Sequence, residues 1–229
     1  MPTIRAASDI GGTFTDLVYY EIDDTTGDIT DVKAVKAHTT PGCFQTGVIN
    51  SLEKAHVSPA DLDFFAHGTT VVINALTERK GAKAGLITTE GFRDILEIGR
   101  GNRPDFFNLR YQKPKPFIPR HLRHEIPERL SHTGEVLTRL SLDNLQHIVD
   151  DFRKEGIEAI AICLLHSYAN PQHEIALCDA VKELWPEIPV IASHEISREW
   201  REYERTKNTA LCAYVQPVSS ATPSAFPYA

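Results

Sequence analysis

Two adjacent glycines interrupt the first apolar run of the chain, and they constrain the fold of its N-terminal part more than any other feature. The motif is "DIGGTFTD", Asp9 to Asp16, and strand-like runs lie on both sides of it at Thr3 to Ile10 and Phe14 to Asp23. Glycine takes positive φ without a steric penalty, as a two-residue hairpin turn requires. A third strand-like run follows at Val32 to His38. The pattern predicts that the chain opens with antiparallel strands.

Helical and strand-like patterns alternate through the rest of the chain. Apolar strands are predicted at Phe64 to Ala66, Ala84 to Thr88, Ile157 to Leu165 and Val190 to Ser193, and helices at Phe44 to Ala55, Val71 to Lys80, Phe92 to Ile98, Leu142 to Phe152, Ile175 to Leu184 and Arg198 to Val215. Gly81 is expected to end the second of these helices as a C-cap. Such alternation predicts a mostly parallel sheet with helices on both faces. The predicted class is α/β, with a mixed sheet whose antiparallel opening hairpin precedes the parallel strands.

The segment from Gly99 to Pro127 has no regular periodicity and is rich in proline. A segment of this length is typical of a surface excursion or a subunit contact. Within it, "HLRH" places His121 and His124 at a spacing that metal sites use, but the neighbouring arginines would oppose a dication. We therefore interpret it as a solvated basic loop.

Composition narrows the classes of partner. The chain has 229 residues, 41% of them hydrophobic, and a formal charge of -7. Nucleic acids and anionic membranes are not expected partners, because they require clustered Lys and Arg. No apolar run approaches the ~20 residues that span a bilayer. The four cysteines, Cys43, Cys163, Cys178 and Cys212, are far apart and are interpreted as reduced, buried thiols of a cytoplasmic protein.

The glycine motif itself permits two interpretations. It can be a hairpin turn and nothing else. Alternatively, the missing Cβ atoms of Gly11 and Gly12 let backbone N–H groups converge on a phosphate, with hydroxyl donors from Thr13 and Thr15. Two flanking carboxylates would repel that phosphate unless a cation intervened, and Mg²⁺ prefers such oxygen ligands.

A second candidate is "HGTT", His67 to Thr70, at a predicted junction between a strand and a helix. Unpaired N–H groups at such a junction favour an anion or a developing oxyanion. The alternative is that Thr69 or Thr70 only caps the helix and His67 bonds a backbone carbonyl. Asn74, one turn further on, is expected on the same side as Thr70. Near the C-terminus, the charges of "SREWREYERTKNT" are interpreted as the solvated face of a helix.

Three motifs together carry a family resemblance. "DIGGTFTD", then "AHGTTVVINALTERKGAKAGLITTEGFRDILEIGRGNRPDFFNL", then "REYERT" resemble the N-terminal part of the hydantoinase A and 5-oxoprolinase family, which includes acetone carboxylase β-subunits. The resemblance covers Ile4 to Pro217. It implies a lobe of the actin-like (ribonuclease H-like) ATPase fold, in which a β-hairpin with glycines and an acid binds the phosphates of ATP.

The resemblance also implies roles for particular residues. The phosphates of ATP would lie on Gly11, Gly12, Thr13, Phe14 and Thr15, and Asp9 and Asp16 would hold Mg²⁺. The implied catalytic residues are Asp9, His67, Thr69 and Thr70, of which His67, Thr69 and Thr70 would face the activated substrate. Lys207 and Asn208 depart from the hydroxyl residues usual in the family, although Thr206 and Thr209 match it.

The implied reaction is the opening of a cyclic amide, such as 5-oxoproline or a hydantoin, with ATP. Carboxylation of a ketone and a non-catalytic nucleotide-binding or assembly module are the alternatives. Proteins of the family that this chain resembles are several times longer than it is. A partner subunit or a missing C-terminal half is therefore expected. The predicted domains are residues 1–197, the start of a truncated second domain at 198–218, and a disordered or aberrant tail at 219–229.

Overall fold

The structure is a computed structural model that describes residues 3–23, 25–29, 31–40, 43–100, 105 and 107–220, with the side chains of the final helix described up to residue 217. The described residues form two compact units. The first contains the residues up to Lys80 together with those from Val218, and the second is Gly81–Pro217. Residues 1–197, predicted as one domain, therefore include parts of both units. Residues 221–229 of the predicted tail lie outside the described part.

The first unit is built on a four-stranded mixed sheet. Its strands are β1 (Thr3–Ile10), β2 (Phe14–Ile22), β3 (Lys33–His38) and β4 (Leu62–Thr69), in the order β3-β2-β1-β4. The first three are antiparallel to one another, and β4 is parallel to β1. The antiparallel opening is thereby confirmed. β4 is longer than predicted, and Phe64 on this edge strand is exposed rather than buried.

Two helices accompany this sheet, α1 (Phe44–Ala55) and α2 (Val71–Thr77). A short 3-10 turn, Pro59–Asp61, precedes β4, and its N-cap Ser58 accepts a hydrogen bond from the N–H of Ala60. Buried and exposed residues alternate along β1 and β2, so one face of the sheet packs in the core with Val48 and Leu52 of α1. The opposite face carries the exposed side chains of Asp9 and Asp16.

The second unit is built on a separate parallel sheet. Its strands are β5 (Ala84–Thr89), β6 (Arg123–Ile126), β9 (Ala159–Cys163) and β10 (Val190–Ala192), in the order β10-β9-β5-β6. Every residue of β5 and β9 is buried, as expected for strands covered on both faces. A small hairpin of β7 (Arg129–Leu130) and β8 (Val136–Thr138) turns at Gly134, where φ is +89°. The α/β class is confirmed, but the strands form two large sheets rather than one.

The helices of the second unit differ in length from the predictions. They are α3 (Ile95–Ile98), α4 (Leu145–Glu155), α5 (Gln172–Leu184), α6 (Ser193–Ile196) and α7 (Glu202–Ser220). α3 contains only the last turn of the predicted helix, and α6 was not predicted. α4 begins after Leu142, which is 39% exposed. The buried side of α4 packs on β5, where Gly85 leaves room for the ring of Phe152.

The basic loop predicted around His121 is wrong. Arg123 begins β6 and is buried, because Nε donates to the Ile118 carbonyl at 2.9 Å and Nη2 to Glu97 Oε1 at 2.9 Å. The ring of His124 packs edge-on against Phe152, and burial lowers its pKa. Among the described residues, no cluster of three or more His, Cys, Asp or Glu is arranged to hold a metal ion.

The C-cap predicted at Gly81 is also wrong. α2 ends at Thr77, and the left-handed residue after it is Arg79, with φ of +53°. Gly81 instead lies against Tyr214 of α7, and a Cβ at Gly81 would stand 2.2 Å from Tyr214 Cε1. Close packing between distant segments therefore accounts for this glycine.

The four cysteines are free thiols, but Cys43 is exposed and Cys212 only half-buried, so burial was predicted correctly for two of them. Desolvation raises the pKa of Cys178 to about 12. Within the described part of the chain, no helix is long and apolar enough to span a membrane.

Candidate functional site

The glycine motif forms the turn between β1 and β2. The N–H of Gly11 donates to the Phe14 carbonyl at 2.9 Å, which closes the turn, and Gly12 and Thr13 at its tip are exposed. The hairpin is confirmed. However, neither Gly11 nor Gly12 has a positive φ, so the expected left-handed backbone is not the reason for two glycines.

Close approach explains the two glycines instead. A Cβ added at Gly11 would lie 3.0 Å from the Phe14 carbonyl oxygen, and one at Gly12 would lie 3.3 Å from Nδ2 of Asn74. Asn74 belongs to the second turn of α2, so its side chain lies against the hairpin, as expected from the sequence. The exposed tip of the turn therefore presents the backbone of Gly12 together with the Thr13 side chain.

Thr15 supports the turn from below. It is fully buried, and its hydroxyl lies 3.1 Å from the hydroxyl of Thr39. Because the Thr39 hydroxyl donates its proton to the Gly11 carbonyl, the Thr15 hydroxyl must donate to Thr39. Gly47 of α1 leaves the space that Thr15 occupies. The one proton of Thr15 is used inside the protein, whereas Thr13 remains exposed at the tip of the turn.

A row of residues crosses the sheet directly behind the turn. Gly68, Asp9, Asp16 and Lys36 are successive register partners on β4, β1, β2 and β3. Register partners point to the same face, and Asp9, Asp16 and Lys36 are all exposed. Gly68 leaves the Asp9 side uncrowded, since a Cβ there would be 3.7 Å from Asp9 Oδ1. Both predicted magnesium ligands thus lie side by side on the open face.

Lys36 is the basic member of this row, and sequence reasoning missed it. Its Nζ lies 3.1 Å from Asp16 Oδ1 and 5.2 Å from the centre of the Phe14 ring. The ring of Phe14 also contacts that of His38, with centroids 4.8 Å apart. The alternation of β3 against β2 was the available signal, because it places Lys36 and His38 on the same face as Asp16 and Phe14.

The junction between β4 and α2 is held by one carbonyl. The Ile10 carbonyl accepts the N–H of Thr70 at 3.0 Å and the hydroxyls of Thr69 and Thr70 at 3.3 and 3.4 Å. The Thr69 hydroxyl in turn accepts the N–H of Val71 at 3.2 Å. The hydroxyl of Thr70, the N-cap residue of α2, makes no capping hydrogen bond, so the contact from Thr69 to the N–H of Val71 is the part of the capping interpretation that the structure supports. The junction is thereby tied to the end of β1, immediately before the glycine turn.

His67 lies on the other side of the sheet from Asp9. Its Nδ1 is hydrogen-bonded to the hydroxyl of Ser8 at 2.9 Å, rather than to a backbone carbonyl. Ser8 and Asp9 are adjacent in β1 and therefore point to opposite faces. The structure brings Asp9, Asp16 and the turn together, but it separates the His67 side chain from the carboxylates with which it was grouped.

These residues fit a magnesium-bound phosphate group. Mg²⁺ in phosphate sites takes one or two carboxylates and keeps phosphate and water oxygens as its other ligands, so a larger protein cluster is not needed. Asp9 and Asp16 are exposed and paired in register. Gly12 has no side chain at the exposed tip, so an anion can approach the backbone there.

The "REYERT" motif has a different setting from the predicted solvated face. Arg205 is only 1% exposed. Its three guanidinium nitrogens donate to the Ser193 hydroxyl and to the carbonyls of Glu199 and Leu164. Arg205 therefore fastens α7 to the end of β9 and to α6.

A buried carboxylate completes this network. Glu174 accepts hydrogen bonds from the N–H of Leu164, the hydroxyl of Ser193, and both the N–H and Nδ1 of His194. Burial raises the pKa of Glu174, but the donors outweigh burial and hold it below its usual value. The hydrogen bond to Glu174 raises the pKa of His194. The network is internal to the second unit and contributes to its stability.

The fold and the site define an α/β protein whose first sheet presents an exposed glycine turn backed by two aspartates and a lysine. The chain belongs to the family described as hydantoinase/oxoprolinase N-terminal region, whose model matches residues 5–185. Among curated proteins, caprolactamase subunit alpha of Pseudomonas jessenii is 34% identical over 93% of this chain and 31% of its own length. The acetone carboxylase beta subunit of Xanthobacter autotrophicus is 31% identical, over 93% and 32% respectively.

Solved structures give the same assignment. One is the nucleotide-free structure of acetone carboxylase, an enzyme of ATP-dependent acetone carboxylation. It superposes with a TM-score of 0.83 at 30% identity, and the match covers 96% of this chain and 33% of the carboxylase chain. The ATP-dependent caprolactamase of Pseudomonas jessenii superposes with a TM-score of 0.78 at 33% identity, over 95% and 32%. The chain thus spans about a third of the length of the relatives it matches.

Proposed function

We propose that this chain is the N-terminal part of an ATP-dependent cyclic-amide hydrolase of the hydantoinase or 5-oxoprolinase type. The observation that carries the proposal is the exposed turn at Gly11 and Gly12 with Asp9 and Asp16 side by side behind it. Caprolactamase and 5-oxoprolinase, two relatives of the chain, are named for the opening of cyclic amides.

In this proposal, backbone N–H groups from Gly12 to Phe14, with the Thr13 hydroxyl, bind the phosphates of ATP, while the N–H of Gly11 closes the turn on the Phe14 carbonyl. Asp9, with Asp16, holds Mg²⁺, which neutralises phosphate charge when bound. Thr15 supports the turn through Thr39 instead of contacting the nucleotide. Thr69 and Thr70 lie at the neighbouring strand end and are proposed to face the substrate, whereas the His67 side chain lies on the opposite face from Asp9 and is hydrogen-bonded to Ser8.

The chemistry follows from the resistance of amides to hydrolysis. Resonance places electron density on the amide oxygen and leaves the carbon weakly electrophilic. Transfer of the terminal phosphoryl group of ATP to that oxygen makes the carbon electrophilic, so water can attack it. The adduct then expels the ring nitrogen, which takes up a proton, and the ring opens to an acyl phosphate. A second water attacks the acyl carbon, so the phosphate leaves with the former carbonyl oxygen and an amino acid remains.

The proposed reaction needs polypeptide beyond this chain. The matched relatives carry about two thirds of their length outside the region they share with it. Those relatives include proteins named as subunits. We propose that a partner subunit, or a following segment in a longer protein, supplies the rest of the nucleotide and substrate site.

Carboxylation of a ketone is the second candidate. It is favoured by the TM-score of 0.83 to acetone carboxylase, which exceeds the 0.78 to caprolactamase. The same turn and carboxylates would bind ATP in either reaction, so the first unit alone does not choose between them. A non-catalytic module that binds nucleotide for assembly remains the third candidate.

Nucleotide binding is tested by isothermal titration of the chain with Mg-ATP. We expect wild-type protein to bind and Asp9→Ala to bind at least about tenfold more weakly, since interactions with a charged group contribute about 1.5–3 kcal/mol. Asp63→Ala is the matched control, because Asp63 is exposed on the same sheet and pairs with Arg5 at 3.4 Å. Absence of binding by folded wild-type protein, or equal affinity in Asp9→Ala, contradicts the proposal.

The reaction is tested after the chain is combined with a polypeptide corresponding to the other two thirds of a relative. 5-Oxoproline or hydantoin labelled with ¹⁸O in the ring carbonyl is supplied with ATP, and the released phosphate is analysed by mass spectrometry. Hydrolysis through a phosphorylated carbonyl transfers ¹⁸O to phosphate. Bicarbonate-dependent consumption of acetone, with no turnover of either amide, would instead establish the carboxylase.

A further inference from the structure

Strand β3 carries a lysine near each end, and the two differ in their surroundings. Lys36 pairs in register with Asp16, and Lys33 pairs in register with Tyr19. Because they are three residues apart, their side chains lie on opposite faces of the sheet. Each ammonium lies over an aromatic ring, Lys36 at 5.2 Å from Phe14 and Lys33 at 5.8 Å from Tyr19. Only Lys36 lies next to the glycine turn.

A nearby positive charge would stabilise the paired carboxylates of Asp9 and Asp16 behind the turn. Asp9 and Asp16 are directly opposite each other on antiparallel strands, an arrangement that repels when both are charged. The Lys36 ammonium, 3.1 Å from Asp16, offsets part of that repulsion. It also lies over Phe14, the residue that closes the turn, so the lysine extends toward the turn rather than away from it.

We propose that Lys36 is a phosphate-binding residue of this site and that Asp16 positions it. The ammonium would donate to the terminal phosphates of a nucleotide whose remaining phosphate contacts come from the turn. An ammonium has three donors, so Lys36 can bond Asp16 and a phosphate oxygen together. Asp9, one strand further from Lys36, is then the main carboxylate for Mg²⁺. This inference rests on the proposed binding of ATP and adds a residue to it.

Two ligands test the proposal by isothermal titration, Mg-ATP and inorganic tripolyphosphate. Lys36→Met keeps the apolar stem and removes the charge, and we expect both ligands to bind about tenfold more weakly. Lys36→Arg keeps a positive charge and phosphate donors, so it should bind both ligands more tightly than Lys36→Met. Lys33→Met is the matched control and should leave both affinities unchanged. Thermal unfolding of each variant checks the fold, and Lys36→Gln replaces Lys36→Met if the latter unfolds.

A double-mutant cycle tests the role of Asp16. If Asp16 acts through Lys36, Asp16→Asn weakens tripolyphosphate binding in the wild-type background and has no further effect in Lys36→Met. Losses that simply add show instead that Asp16 acts independently, which overturns the positioning role.

The outcomes separate this proposal from the one on which it rests. If wild-type protein binds Mg-ATP, Asp9→Ala does not, and Lys36→Met binds as wild type does, the role of Lys36 is overturned and ATP binding stands. If folded wild-type protein binds neither ligand, both proposals fail.

Discussion

The hydroxyl of Thr15 donates to the hydroxyl of Thr39, 3.1 Å away, and Thr39 donates in turn to the Gly11 carbonyl. This short chain of hydrogen bonds links the buried side of β2 to the exposed glycine turn. The sequence suggests Thr15 as a phosphate ligand, but its one hydroxyl proton is already donated to Thr39. Thr15 therefore supports the turn instead of binding phosphate.

Replacement of Thr15 by valine should destabilise the protein without removing a phosphate contact. We expect Thr15→Val to lower the free energy of unfolding by about 1–2 kcal/mol, since it deletes a buried hydrogen bond while keeping the shape of the side chain. Thr13→Ala, at the exposed tip, should leave stability within about 0.5 kcal/mol and weaken tripolyphosphate binding. Urea unfolding followed by circular dichroism measures the first effect. Equal stability of Thr15→Val and wild type would contradict the supporting role.

Substitutions at Gly81 can distinguish between close packing and helix capping as the reason for this glycine. Gly81→Ala should destabilise by about 3 kcal/mol, because the added Cβ would stand 2.2 Å from Tyr214 Cε1. Gly81→Asn should be at least as damaging, although asparagine is tolerated at a true left-handed cap.

Gly156 is the matched control for Gly81. It ends α4 in the left-handed region at φ of +67°, and no atom lies within 4 Å of the Cβ position. Gly156→Asn should be tolerated, whereas Gly156→Ala should cost about 1 kcal/mol. Should Gly81→Asn prove as stable as wild type in urea, the packing explanation for Gly81 is wrong.

Arg205 should be essential for the stability of the second unit. Arg205→Lys removes the guanidinium group that donates to Ser193, Glu199 and Leu164. We expect the free energy of unfolding to fall by about 3 kcal/mol, because buried acceptors are left unpaired. Arg201→Met is the control, since Arg201 is exposed and lies over the exposed Trp200. Tryptophan fluorescence during urea unfolding reports on this unit, which contains Trp185 and Trp200. An Arg205→Lys protein as stable as Arg201→Met would refute the prediction.

The pair of Glu174 and His194 should make stability depend on pH. The hydrogen bond to Glu174 raises the pKa of His194 from 6.5, so its contribution is complete below that pH and declines as pH rises through the folded value. The pKa of Glu174 lies below 4.5, so its contribution is complete above that pH and is lost as pH falls through the folded value. Their joint contribution is greatest between about pH 4.5 and 6.5.

This dependence is measured as a difference between variants. His194→Gln should lose about 1–2 kcal/mol at pH 6 and a smaller amount at pH 9. Subtraction from wild type is needed because burial lowers the pKa of His124 and His166, whose effects on stability have the opposite sign. His147→Gln is the control, since His147 is exposed on α4 and pairs with Asp151. A pH-independent difference between wild type and His194→Gln would exclude the linkage.

Local sequence patterns determined much of the fold. The apolar alternation of β1 to β3 and the helix from Phe44 to Ala55 were both predicted, because each depends on the spacing of neighbouring residues. The motifs also identified the family and located the glycine turn with Asp9 and Asp16.

Tertiary structure decided which of these residues share a surface. Register across four strands places Lys36 beside Asp16, and strand alternation turns His67 away from Asp9. Contacts between distant segments bury Arg205 and give Gly81 its role against Tyr214. Apart from the alternation of β2 and β3, which was an available signal for Lys36, these relationships have no local signature, since they arise from pairing and packing between segments that are far apart in the chain. The sequence by itself determined the elements and the motif, and the pairing of strands determined which side chains meet at the site.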